Sequence, residues 1–121
     1  MNWESHVTLR SGEMPGVEFV LARMTFGRRI ELMRRVRELA VRLEYFEAGR
    51  DEKNQMEASL LAAEIDRLYL EWGLLDVHGL AIDGEPADAR VFIENGPEAL
   101  VHEALRLVRS SCGLDEQERK N

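Results

Sequence analysis

From Thr25 to Trp72 the chain keeps a helical period for about six turns on either side of a single interruption at Gly49. No other stretch holds a single period for so long. Two helices of that length, joined at a glycine, predict an antiparallel helical hairpin around which a short chain must arrange everything else. With 121 residues, the chain fits a single domain with a modest core.

The first helix is expected over 26–48, with the Thr25 hydroxyl at its start. Leu32, Met33, Val36, Leu39, Ala40 and Leu43 fall on one side of it. Arg28, Glu31, Arg34, Arg35, Glu38 and Arg42 occupy the other. The steps Glu31–Arg35, Arg34–Glu38 and Glu38–Arg42 are each four residues, the spacing of intrahelical ion pairs. Gly49 is placed to end this helix in the left-handed conformation, and Asp51 to cap the next.

The second helix, 52–72, has two apolar stripes. Ala58, Leu61, Ala62, Ile65, Leu68, Tyr69 and Trp72 form the main one. Met56, Leu60, Ala63 and Leu70 lie nearly opposite, with Glu57, Glu64 and Glu71 along a seam between them. A helix apolar on two sides packs against two things. One is its hairpin mate; the other is either the later helix 97–111 or another protein molecule.

The flanking segments read as accessories. Val17, Phe19 and Leu21 alternate at period two, predicting a strand over 17–24 hairpin-paired with residues 6–10. Residues 74–82 read as a loop and a short strand ending in an Asp83-Gly84 turn, with Leu80 and Ile82 available to join Val17–Leu21 in a sheet. Asp88 is positioned to cap a helix running through Glu94, which Gly96 ends. Pro97 suits the first position of the last helix, whose Leu100, Val101, Ala104, Leu105, Leu107 and Val108 make one face that is expected to cover the hairpin. Gly113 would stop it before a charged tail over 114–121. The fold class expected is mainly α (α+β).

Charge is distributed unevenly. Residues 1–50 hold nine arginines against seven glutamates, whereas 51–121 hold seven basic residues against sixteen acidic ones, for a net charge of −7. An acidic whole argues against nucleic acid as a partner, because phosphate binding needs a basic surface. The arginines also scatter around their helix, with no interleaved aromatics and no recognition-helix motif. A single cysteine, Cys112, the lack of a basic start followed by an apolar run, and a longest apolar run of Phe19–Ala22 together read as a cytoplasmic protein that does not enter a membrane.

Signs of catalysis and of metal or cofactor binding are lacking. His6, His78 and His102 are far apart in sequence; His102-Glu103 begins like a zinc-protease motif, but Arg106 stands where the second histidine would fall. Asp76, Asp83, Glu85 and Asp88 lack the alternation and closing glutamate of a calcium loop. Cys112 sits at a helix C-terminus, whose negative end disfavours a thiolate. No glycine loop for phosphate and no nucleophile elbow is present. The residues alone read as a non-enzymatic helical protein without cofactor.

A resemblance takes this further. Thr25 to Arg29 (TFGRR), Tyr69 to Leu74 (YLEWGL), Gly79 to Ala87 (GLAIDGEPA), Asn95 to Leu100 (NGPEAL) and Gly113 to Asn121 (GLDEQERKN), in that order, resemble tail assembly chaperones of long-tailed bacteriophages and prophages. The resemblance covers most of 17–121 and leaves out 1–16. It implies a small helical chaperone of the bacterial cytoplasm that coats the tape measure protein, shielding its apolar helices until tail tube subunits polymerise around them. It also implies self-association, and often a longer product made by ribosomal slippage; Arg119-Lys120-Asn121 can be encoded by an adenine run suited to it. On this reading Met56, Leu60, Ala63 and Leu70 face the client, with Trp72 and Leu74 at the end of the groove. A small helical regulatory or adaptor module, antitoxin-like or DNA-associated and dimeric, is the alternative. An enzyme built on the carboxylates between Asp76 and Asp88 stands behind both.

Overall fold

A computed structural model describes residues 1–112 of the chain, so the expected stop at Gly113, the charged tail and the closing signature lie outside the described residues. Among the described residues five strands and four helices follow one another: β1 (His6–Arg10), β2 (Glu18–Ala22), α1 (Phe26–Glu47), α2 (Glu52–Gly73), β3 (Leu74–His78), β4 (Ala81–Ile82), β5 (Glu85–Pro86), α3 (Ala89–Asn95) and α4 (Glu98–Ser111). The protein is mainly α with a small antiparallel sheet, as the periodicities predict. The chain divides into two compact units, one made of Met1–Thr25 with the segment from Tyr69 onward, the other of Phe26–Leu68.

In the first unit, β1 and β2 pair antiparallel from His6↔Ala22 to Arg10↔Glu18, the expected hairpin. The strand that joins them in the sheet is Leu74–His78, and not the Leu80–Ile82 segment that the alternation suggested. Helix α2 runs through Gly73 and turns into β3 without a loop. Leu80 and Ile82 are diverted because Asp83 (φ 53°) and Gly84 (φ 83°) are both left-handed, the geometry of a tight two-residue hairpin turn. That turn pairs Ala81–Ile82 with Glu85–Pro86 in a small ribbon of its own. Pairing of β2 with β3 slips between Val20 and Leu21, which leaves Leu75 without an opposite number in the register; a bulge of this kind re-aims a side chain, and Leu75 is exposed.

Val17, Phe19 and Leu21 are all buried, so the period-two reading picked the correct face. Phe19 meets Phe92 of α3 with ring centroids 5.7 Å apart. Asp88 caps α3 by accepting from the Val91 amide at 2.9 Å, and the Gly96 amide closes the helix on the Phe92 carbonyl at 2.8 Å. Pro97 stands one position earlier than expected, as the cap itself; its carbonyl accepts from the Leu100 and Val101 amides at 3.0 Å. Helix α4 packs on β2 and reaches the last turn of α2 at Gly73. Gly73 permits this, since a Cβ there would lie 2.5 Å from Cγ1 of Val108. The Arg109 guanidinium sits 4.3 Å from the centre of the Tyr69 ring.

The second unit contains α1 and most of α2, joined through residues 48–51. Leu32, Leu61 and Ile65 are its buried residues. Asp51 accepts from the Asn54 amide at 2.8 Å and starts α2, as expected. Gly49, by contrast, does not take a positive φ. Its role is steric: a Cβ at 49 would run into the Asn54 side chain.

Candidate protein-binding surface

Position along α2 decides what becomes of its second stripe. Met56 (70% exposed), Leu60 (54%) and Ala63 are on the surface of the second unit. Leu70, Trp72 and Leu74 are 4%, 2% and 3% exposed. These three belong to the first unit, where Val108 of α4 comes up against Gly73 at the end of α2. They are core residues and not the end of an accessible groove. The stripe of four is therefore a surface seam of three, at steps of four and three residues.

Seven residues of α2, Ala58, Leu61, Ala62, Ile65, Leu68, Tyr69 and Trp72, were expected on its main buried side. Leu61, Ile65, Tyr69 and Trp72 are buried, and the other three are half-buried. Glu57 and Glu64 are half-buried and, by helical spacing, lie beside the exposed stripe; Glu71, in the first unit, is exposed.

A second exposed seam lies on α1. Phe26, Ile30, Met33, Ala40 and Val41 are all exposed, Phe26 at 85% and Met33 at 64%. Met33 and Ala40, which the helical wheel groups with Leu32, Val36, Leu39 and Leu43, thus face solvent. The buried side is narrower, carried by Leu32 with half-buried Val36, Leu39, Leu43 and Phe46. The clue was present in the sequence: Phe26, Ile30, Met33, Arg37 and Ala40 recur at alternating steps of four and three, the spacing of a coiled-coil seam. Met56, Leu60, Ala63 and Arg67 follow the same steps.

Of the three ion pairs expected along α1, only Glu31–Arg35 forms, at 2.9 Å. Arg29, Arg34 and Arg37 have no carboxylate partner among the described residues. Desolvated arginines without partners would be costly, but these three sit on or beside an exposed stripe and stay hydrated. This is a basic-rimmed apolar surface rather than the self-neutralised face that the spacing suggested.

The histidines are dispersed in space as well as in sequence. His78 lies 3.1 Å from Asp76 on the exposed sheet face, and His102 lies 3.9 Å from Glu98 on α4. Among the described residues no group of three or more His, Cys, Asp or Glu side chains is arranged to hold a metal ion. Cys112 is buried. No described helix is long and apolar enough to cross a membrane. No protein-family model, no curated protein and no solved structure matches this chain.

Proposed function

We propose that this protein is a phage or prophage tail assembly chaperone, which binds apolar helical segments of a tape measure protein and keeps them dispersed until tail tube subunits enclose them. The observation that carries the reading is the Met56–Leu60–Ala63 seam, exposed on a helix whose opposite face is already buried. A surface of this kind takes an amphipathic helix, whose anchors recur at matching steps. The ordered signatures from Thr25 to Asn121 narrow the class of client, and the net charge of −7 suits a protein that must stay dispersed while presenting apolar surface.

Co-expression tests it. A helical fragment of the tape measure protein encoded in the same genome should move from the pellet to the soluble fraction with the wild-type chain, and should not with Leu60→Glu. A gene lying away from tail tube and tape measure genes, with no rescue of the fragment, rejects the proposal.

A further inference from the structure

We propose that the α1 seam is a docking surface for a second copy of this chain, and that what it grips is the α2 seam of that copy. Three observations carry this. Both helices have exposed apolar residues at the same alternating steps, Phe26–Ile30–Met33 on α1 and Met56–Leu60–Ala63 on α2, which is the spacing that lets one helix set its side chains between those of another. The rims are opposite in charge. Arg29, Arg34 and Arg37, which lack carboxylate partners among the described residues, border the α1 seam, whereas Glu57 and Glu64 border the α2 seam. The helices differ in sign as wholes too: α1 holds six arginines and four glutamates, and α2 five carboxylates and two basic residues.

Pairing α1 with α1 would bring arginines together, and pairing α2 with α2 would bring glutamates together. The crossed arrangement sets the arginine rim against the glutamate rim, so charge favours the partner helix as well as the partner molecule. Phosphate would also satisfy the arginines, but it leaves Phe26, Ile30 and Met33 in water.

The α2 seam is the surface assigned above to the client, so a second copy and the client compete for it. The α1 seam has no part in client binding on this proposal. Self-association thus caps the client site while no client is present, and a client displaces a copy.

The full chain alone provides the test, by light scattering and sedimentation across a concentration series. The wild type should associate, and high salt should weaken it. Met33→Glu and Leu60→Glu should each weaken association by roughly thirtyfold or more. Reversing one rim, with Arg34→Glu and Arg37→Glu together or with Glu57→Arg and Glu64→Arg together, should leave each variant monomeric alone. An equimolar mixture of the two should associate again, because the acidic α1 of one then meets the basic α2 of the other. Helicity by circular dichroism checks that every variant folds.

A wild-type chain that stays monomeric at all concentrations overturns the proposal, and so does a mixture that fails to associate although both variants are folded. Capture of duplex DNA by a monomeric wild type would assign the arginines to phosphate and overturn it as well. The client reading fails separately: Met33→Glu should still solubilise the tape measure fragment, whereas Leu60→Glu should not.

Discussion

The buried carboxylate of Glu103, on α4, accepts a hydrogen bond from the Ser11 hydroxyl at 2.6 Å and another from the Gly12 amide at 2.7 Å. Ser11 Oγ in turn accepts from the amides of Glu13 and Met14 at 3.1 and 3.0 Å. One acid thereby holds the β1–β2 loop against a helix some ninety residues later. Glu103→Ala leaves a hydroxyl and an amide without their acceptor, and should cost about 2 kcal/mol by urea unfolding. Ser11→Ala and Glu103→Ala should be clearly non-additive, since both remove the same contact.

Gly73 and Val108 form a close packing contact where α4 crosses the end of α2. Gly73→Ala should destabilise by about 1–3 kcal/mol, because valine has few rotamers with which to yield. In the Val108→Ala background the same substitution should cost less, and a thermal-unfolding cycle of the four proteins checks this.

Gly79 and Gly84 both have φ near +80°, but they differ in their surroundings. A Cβ at 84 meets open space, whereas one at 79 would collide with the Gly16 carbonyl. Gly84→Ala should therefore cost only the conformational penalty, about 1 kcal/mol. Gly79→Ala should cost more than that, and comparison of the two unfolding midpoints separates strain from collision.

Leu60 and Leu61 are neighbours on α2 with opposite fates, the first exposed and the second 1% exposed. Leu61→Ala should cost about 2–5 kcal/mol. Leu60→Glu should leave stability within about 0.5 kcal/mol while abolishing fragment solubilisation. A loss of several kcal/mol at Leu60 would mean that the seam is structural.

Short-range patterns were legible where one period had one meaning. Val17, Phe19 and Leu21 declared their buried face, Asp88 its cap and Asp83-Gly84 its turn, because each depends on a few adjacent residues. Strand β3 was not legible. Leu74–His78 carries a bulge at Leu75 that breaks its alternation, and it follows a helix with no loop residues to announce the change. The candidate surface was legible only as an apolar stripe: of the residues assigned to it Met56, Leu60 and Ala63 are exposed, Leu70, Trp72 and Leu74 are buried, and the α1 seam adds to it.

The sequence by itself determined which residues are apolar at helical or strand spacing, hence the two long helices, the first hairpin and the mixed α and β class. Tertiary structure decided which apolar face is covered. On α2 Met56, Leu60, Ala63 and Leu70 share one side by their spacing, yet the first three are in solvent and the last is in a core. Periodicity records that a face is apolar and nothing about its neighbours; burial follows from which other elements, often distant in sequence, arrive beside it.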